Sequence, residues 1–177
     1  MAYSPLIHHR RSIRLKGYDY SQAGAYFITL CTHHREHLFG EVKGGEMKLN
    51  PFGQIAYENW LKTPQIRPNV ALDVFVIMPN HLHGILLIRK GESHSPLLNP
   101  DKGECDSPLR TPSNTIGAMV RGYKSAVTKQ INLLRAGVIV WQRNYYEHII
   151  RNEQAYHTIS VYIIHNPYKW EQDKFYS

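Results

Sequence analysis

Alternating apolar and polar stretches divide the chain into strands, helices and irregular segments. Residues Ala25–Thr32 are rich in β-branched and aromatic side chains, which is typical of a strand. Residues 38–49 resemble a hairpin, with Gly44 and Gly45 forming its two-residue turn. Further strand or extended segments are predicted at about 72–78, 81–89, 138–141 and 145–150.

Three helices are predicted between and after these strands. Asn50 and Pro51 supply an N-cap and a first-turn proline for a helix that runs to about Leu61. Apolar residues recur at helical spacing from about 115 to 135, and Asn152 caps a last helix. The βαββαβ order with this C-terminal addition predicts an α+β fold. We expect a ferredoxin-like antiparallel sheet with helices packed on one face and an added C-terminal helix.

Two segments fall outside this pattern. Residues 1–20 form a basic arm without a helical or strand period. Residues 90–113 carry four prolines, two glycines and four serines, which favours a flexible linker or loop. Because the chain shows no internal repeat and no second core pattern, residues 1–177 are predicted to form a single domain.

The composition indicates a globular protein that could bind nucleic acid. The chain is 42% hydrophobic and 20% charged, which disfavours a disordered protein. Its 21 Lys and Arg exceed its 14 Asp and Glu, giving a net charge of +7, and 11% of its residues are aromatic. A basic, aromatic surface suits a phosphate backbone with unstacked bases, although many soluble proteins are also basic.

Cysteine content and hydropathy exclude several other classes. The two cysteines, Cys31 and Cys105, form no paired motif, which excludes a thiolate zinc site and a disulfide scaffold. The N-terminal residues lack the apolar stretch of a secretory signal, and no run approaches the roughly 20 apolar residues of a membrane span. We therefore expect a cytoplasmic protein that does not associate with membranes.

A histidine pair is the first candidate for chemistry. The sequence Pro79-Asn80-His81-Leu82-His83 lies between two apolar runs. If this segment is a strand, the side chains of His81 and His83 project from one face while Leu82 points into a core on the other. Two parallel imidazoles are half of a metal site, because neutral imidazole is the commonest protein metal ligand.

The last predicted helix offers residues that could complete the site. Tyr162 and Asn166 are four residues apart, which places them one turn apart on one helix face. Near a metal and a basic groove, the Tyr162 phenol is a plausible nucleophile, and Asn166 offers an amide oxygen as a third ligand. A single tyrosine on a helix is more often a packing or surface residue, so the pair needs independent support.

Four stretches together supply that support, because they resemble one known family. They are Arg11–Lys16 with Phe27–Thr29, then Pro79–Gly84, then Trp141 and Gln142 with Tyr146–His148 and Arg151–Asn152, and finally Tyr162 with Asn166–Pro167. The sequence resembles the REP-associated tyrosine transposases, a branch of the HUH single-strand DNA transposases. The resemblance covers nearly the whole chain, and its main interruption is residues 90–113.

The resemblance implies a division of labour at the site. His81, His83 and Asn166 would hold a divalent ion, Mg²⁺ or Mn²⁺, and Tyr162 would attack the scissile phosphate of single-stranded or hairpin DNA. The product would be a phosphotyrosine bond to the 5′ side of the cut and a free 3′ hydroxyl, so that strands can be rejoined without ATP. Glu147 and His148 lie in a family stretch and are expected to support the site.

Basic side chains are the candidates for DNA contact. They are Arg10, Arg11, Arg14 and Lys16 in the arm and Arg121 and Lys124 on the 115–135 helix. The two helix residues are equally typical of an ordinary solvated face. Relatives include both monomers and dimers that exchange the tyrosine helix, so a homodimer with Tyr162 acting in trans stays open beside a monomer acting in cis.

Three other functions share part of this residue pattern. A replication or mobilisation nickase uses the same residue types, but the short chain has no helicase region. A non-catalytic single-strand nucleic-acid-binding module predicts exposed aromatic residues on strands and no metal dependence. A two-histidine phosphoesterase requires two separate His-x-Ser/Thr motifs, which the chain does not supply.

Overall fold

The computed structural model describes residues 23–89 and 115–176, which contain every element named below. The strands are β1 Gly24–Cys31, β2 Gly40–Lys43, β3 Glu46–Leu49, β4 Val70–Met78, β5 His81–Ile88 and β6 Tyr146–Ile150. The helices are α1 Pro51–Leu61, α2 Thr63–Ile66, α3 Ile116–Leu134 and α4 Glu153–His165, with 3-10 turns at His33–Arg35 and Trp170–Gln172. The predicted basic arm and the predicted 90–113 linker lie outside the described residues.

Four strands form one antiparallel sheet in the order β4-β5-β1-β6. This is the strand order of a ferredoxin-like βαββαβ fold, which confirms the predicted α+β class. The strands β2 and β3 form a separate hairpin, and Gly44 and Gly45 make its turn with positive φ angles of 60° and 77°. In that left-handed region glycine is favoured, as the turn prediction required.

One face of the sheet, which we call the core face, holds the main hydrophobic core. It carries Tyr26, Ile28, Leu30, Leu82 and Leu86, all 0% exposed. The helices α1 and α3 cover this face with buried apolar side chains, and these are Ala56, Trp60, Met119, Val120, Tyr123, Val127 and Ile131. Burial of these apolar side chains is the dominant favourable contribution to the free energy of folding.

The opposite face, which we call the histidine face, carries His81 and His83 and is partly covered by α4. A small cluster of buried apolar side chains joins helix to sheet there, formed by Phe27, Ile85, Ile150 and Ile163. The helix begins where the Asn152 side chain accepts a hydrogen bond from the Ala155 N–H, as the cap signal predicted. The added C-terminal helix therefore lies on the face away from α1 and α3.

A bulge in β4 lets α4 make a polar contact with the sheet. The register of β4 against β5 shifts between Leu72 and Phe75, and Asp73 lies in this interval. The Tyr156 hydroxyl of α4 donates a hydrogen bond to Asp73 Oδ2. Bulges commonly redirect a side chain in this way, and here the redirected carboxylate fixes the first half of α4 to the sheet edge.

No helix among residues 23–89 and 115–176 is long and apolar enough to cross a membrane.

Candidate active site

Strand β5 brings His81 and His83 together on the histidine face. Their ring centroids lie 4.4 Å apart, and Leu82 between them is fully buried in the core face. Gly84 follows directly, and a Cβ at that position would lie 2.8 Å from Trp60 Cζ2. The absence of a side chain at Gly84 therefore lets the Trp60 ring pack against the strand behind the histidine pair.

The neighbours of His81 fix which of its nitrogens carries the proton. The Asn80 amide donates from Nδ2 to the Phe175 carbonyl, so Asn80 Oδ1 faces the ring of His81. That oxygen lies 2.8 Å from His81 Nδ1 and can only accept, so Nδ1 carries the hydrogen. His81 Nε2 is left with its lone pair. It is buried, and the described residues supply no hydrogen-bond partner to it.

His83 contacts both the sheet and the tyrosine helix. Its Nδ1 lies 2.8 Å from Thr29 Oγ1, and its Nε2 lies 3.1 Å from the Tyr162 hydroxyl. A threonine hydroxyl can donate or accept, so it supports either tautomer. Because the Tyr162 hydroxyl donates its one hydrogen to Asp173, His83 Nε2 carries the hydrogen in this contact. His83 Nε2 offers a lone pair to a metal when the proton is on Nδ1, and Thr29 Oγ1 can accept that hydrogen.

Tyr162 is held by a carboxylate that the sequence did not single out. Its hydroxyl donates to Asp173 Oδ2 at 2.9 Å, and 37% of the residue is exposed. Partial burial raises the pKa of Tyr162 above its usual value, and the hydrogen bond to Asp173 makes a second, smaller contribution in the same direction. The phenol is therefore protonated at neutral pH in this arrangement, and it must lose its proton before or during any attack.

Asp173 also determines how the Asn166 amide is turned. Asn166 Nδ2 donates to Asp173 Oδ2 at 2.7 Å, which directs Oδ1 away from the carboxylate. Asn166 Oδ1 is buried and lacks a hydrogen-bond partner among residues 23–89 and 115–176. The Asn166 side chain lies near enough to His81 to favour its protonated form, although no hydrogen bond of normal geometry joins the two.

Burial keeps both imidazoles neutral. It lowers the pKa of His81 to about 4, against the opposing effect of the Asp173 charge. Burial also holds the pKa of His83 well below its usual value, and the neighbouring His81 adds to the effect. Neutral imidazoles are the form that binds metals.

The donor set fits a divalent ion. His81 Nε2 and Asn166 Oδ1 are two buried lone-pair groups without a hydrogen-bond partner among the described residues, and His83 Nε2 can join them. Uncompensated buried polar atoms are costly, and a bound cation would remove that cost. Among residues 23–89 and 115–176 no cluster of three His, Cys, Asp or Glu side chains is arranged to hold a metal, so the candidate set depends on the amide.

The C-terminal residues cover the histidines. The Phe175 ring lies 4.6 Å from His81 and 5.5 Å from His83, and the Trp170 ring lies 5.9 Å from His81. Both histidines are 0% exposed as a result. A cavity of about 310 Å³ opens beside them, and its lining residues are Thr158, Val161, Tyr162, His165, Asn166, Lys169, Gln172 and Asp173.

The other residues singled out from the sequence lie in different places. His148 is exposed on the histidine face, opposite Phe27, whereas Glu147 pairs with Ile28 and so faces the core side. Lys124 donates to the carbonyls of Gln142 and Asn144, both at 2.8 Å, and so supports the segment that leads into β6.

Only some of the positively charged residues expected to contact DNA are among the residues that the structure describes. Arg121 is an exposed residue of α3, the helix that packs on the core face. The four basic residues of the arm lie outside the described residues. They are Arg10, Arg11, Arg14 and Lys16.

Sequence reasoning missed three residues that hold the site together: Thr29, Asn80 and Asp173. Asn80 had a detectable signal, because it directly precedes the histidine pair. The position of Thr29 depends on the register of β1 against β5, in which Thr29 pairs with His83. Asp173 lies seven residues beyond Asn166 in an irregular segment, where no periodicity indicates its direction.

Comparisons with known proteins concern the family and the fold of the chain. No protein-family model matches the sequence. An uncharacterized protein of Haemophilus influenzae is 45% identical over 183 residues, covering 98% of this chain and 97% of that protein. The solved structure of a REP-associated tyrosine transposase bound to a REP hairpin matches with a TM-score of 0.61 and 21% identity. That match covers 92% of this chain and 77% of the other.

The two comparisons support different statements. The identity to the Haemophilus influenzae protein extends over nearly the full length of both chains. The transposase structure shares the fold, in agreement with the resemblance drawn from the sequence. The chain therefore belongs to the same family as the Haemophilus influenzae protein, and its fold is that of a REP-associated tyrosine transposase.

Proposed function

We propose that the protein cleaves and rejoins single-stranded DNA as a transposase, with Tyr162 as the nucleophile. The observation that carries this proposal is the 3.1 Å distance between the Tyr162 hydroxyl and His83 Nε2. A nucleophile and a metal-binding imidazole within hydrogen-bond distance match the geometry required for attack on a phosphate bound at the same place. A transposase neighbour bound to a hairpin supports DNA as the partner.

His81, His83 and Asn166 are the residues that would hold the divalent ion, Mg²⁺ or Mn²⁺. Bound there, such an ion supplies Lewis-acid polarisation of the scissile phosphate. The chain contributes the orientation of the ligands: Asn80 and Thr29 hold the two imidazoles, and Asp173 holds the amide. Partners of this kind typically affect metal affinity by about 10- to 100-fold.

Tyr162 then forms the covalent bond. Its phenolic oxygen attacks phosphorus in line, the P–O3′ bond breaks, and the 3′ oxygen leaves as a hydroxyl with a proton from solvent. This proton balances the one that the phenol loses. Asp173 Oδ2 already accepts the phenol hydrogen at 2.9 Å and is therefore placed to receive it. The product is a 5′-phosphotyrosine, and attack on it by another 3′ hydroxyl reverses the chemistry and joins strands.

The proposed reaction takes place in cis, with Tyr162 and the histidine pair of one chain. Both the 3.1 Å contact and the Tyr156–Asp73 hydrogen bond join α4 to the sheet of its own chain. These contacts within one chain support a monomer that acts in cis, and a homodimer that exchanges the tyrosine helix is the alternative.

The test is incubation with single-stranded DNA that carries a hairpin, in the presence of Mg²⁺ or Mn²⁺. We expect a covalent protein–DNA adduct that survives denaturing electrophoresis and is absent when EDTA is added. The Tyr162→Phe variant is the matched control, because it keeps the ring and removes only the oxygen. An active wild-type preparation that cleaves without an adduct, or an adduct that forms in EDTA, would contradict the proposal.

A further inference from the structure

We propose that the exposed edge of the histidine face binds unpaired nucleotides of the DNA strand, with one base stacked on Tyr146. This edge, the β6 surface, consists of Tyr146 and His148 together with Lys174. The inference rests on the proposed function and deepens it, because it names the surface on which the same site would hold the strand next to the scissile phosphate.

The strand register places the β6 surface beside the chemistry. Thr29 of β1 pairs with His83 on one side and with Tyr146 on the other. Directly paired residues of antiparallel strands project from the same face. Phe27 likewise pairs with His148, so both β6 side chains share the face of His83.

The histidine face is covered unevenly. Helix α4 packs over β4 and β5, whereas β6 is the edge strand at the opposite side of the sheet. Tyr146 is 49% exposed there and His148 is also exposed. A flat aromatic ring exposed on a sheet face is a typical platform for an unstacked base.

A row of rings connects Tyr146 to the nucleophile. The Tyr146 ring meets the Phe27 ring edge-to-face at 6.1 Å, and Phe27 meets the Tyr162 ring edge-to-face at 6.4 Å. Tyr146 is therefore separated from Tyr162 by a single ring. A nucleotide stacked on Tyr146 would belong to the same short stretch of strand as a phosphate at Tyr162.

The charges around this surface suit a phosphate backbone. Lys174 Nζ lies 5.9 Å from the centre of the Tyr146 ring, and a stacking base would replace it there and leave the ammonium free to pair with a phosphate. Arg143 and Arg151 are exposed near the two ends of β6. The acidic neighbour Glu147 projects to the core side, away from this face.

The test measures binding without cleavage, in a Tyr162→Phe background, by fluorescence anisotropy with an unstructured DNA oligonucleotide. Tyr146→Ala should weaken binding by about tenfold to a hundredfold, whereas Tyr146→Phe, which keeps the ring, should stay within about twofold. Tyr57→Ala is the matched control, because Tyr57 is a 36% exposed tyrosine of α1 on the other side of the sheet. It should leave affinity unchanged.

A scan of single abasic positions locates the stacked base. One abasic position should weaken binding to the Tyr146-containing protein and have no further effect on Tyr146→Ala. Tyr146→Leu keeps apolar contact with Phe27, and it replaces Tyr146→Ala in these measurements if the alanine variant does not fold. Equal affinity of the alanine or leucine variant and the parent, or identical abasic profiles, would overturn the inference. Failure of the proposed function is separate, since it would appear as the absence of the wild-type covalent adduct.

Discussion

The two faces of the central sheet differ in what their side chains do. On the core face, Tyr26, Ile28 and Leu82 are fully buried beneath α1 and α3 in one extensive apolar cluster. On the histidine face, fully buried side chains include polar ones, notably His81 and His83, and the buried apolar cluster beneath α4 is small. The apolar packing is concentrated on one face, and the proposed chemistry lies on the other.

This difference has a physical reason. Residues two apart on a strand alternate between faces, so β5 can donate Leu82 and Gly84 to the core while it presents His81 and His83 to α4. The rigid core behind the histidines keeps their positions fixed. We therefore expect substitutions on the histidine face to change activity more than stability, and substitutions on the core face to do the reverse.

The largest effect is expected for the histidine pair. Replacing His81 or His83 by alanine removes one proposed metal ligand, so metal-dependent DNA cleavage should fall by at least about a hundredfold, since Lewis-acid catalysis contributes several kcal/mol. The loss of metal-dependent cleavage is measured as the cleavage rate of each variant across a Mn²⁺ titration. His157→Ala, at an exposed position of α4, is the control and should cleave as the parent does. Unchanged metal dependence in both histidine variants would contradict the assignment.

The core face should show its largest effect in stability. Trp60 is fully buried and its ring contacts Tyr123 edge-to-face at 5.1 Å, so Trp60→Ala should lower the free energy of unfolding by about 3–5 kcal/mol. Urea denaturation measures the change. Trp170→Ala on the histidine face is the comparison, and its smaller cluster with Met78 and Phe175 predicts a smaller loss. A larger loss at Trp170 would reverse the proposed difference between the faces.

Gly84 tests how closely the core face packs behind the histidine pair. A Cβ there would lie 2.8 Å from Trp60 and 3.2 Å from Phe75, so Gly84→Ala should destabilise the protein by about 1–3 kcal/mol through overpacking. Gly24→Ala is a control within a strand, because its Cβ would meet only Tyr26 at an ordinary 3.6 Å. Thermal unfolding measures the loss of stability in both variants, and the loss should be larger for Gly84→Ala. Equal effects at the two glycines would contradict it.

Salt should separate binding from folding. With a net charge of +7, DNA binding should weaken by about tenfold or more between roughly 50 and 200 mM salt, because counterions are released on binding. The described ion pairs, Lys43–Glu41 and Lys48–Glu46, are exposed and contribute little to stability. Unfolding free energy should therefore hardly change. Single strands or hairpins should also be preferred over duplex DNA, and a salt-independent affinity would contradict this prediction.

The smallest effect is expected at the contact between α4 and the bulge of β4. Tyr156→Phe removes the hydroxyl that donates to Asp73, a loss of about 1 kcal/mol, and the tyrosine helix should become less well positioned. The covalent adduct should still form, but a few-fold more slowly, as a time course would show. Complete loss of the adduct would instead make Tyr156 a rival nucleophile.

The sequence predicted the elements whose signals are local. The Asn50 and Asn152 caps, the Gly44-Gly45 turn and the period-two placement of His81 and His83 all depend on neighbours within a few residues. Contacts between residues that are far apart in the sequence could not be predicted from such local signals. The Thr29–His83 pair requires the strand order, and the position of Asp173 depends on the path of a tail with no period.

The most direct test of the account is to locate the bond between protein and DNA. Wild-type protein is incubated with hairpin-bearing single-stranded DNA and Mn²⁺, digested with protease and nuclease, and analysed by mass spectrometry. We predict a nucleotide attached through its 5′ phosphate to the peptide that contains Tyr162, and no such adduct for Tyr162→Phe. Attachment to a peptide with Tyr145, Tyr146 or Tyr156, or an adduct that persists in Tyr162→Phe, would contradict the assigned nucleophile.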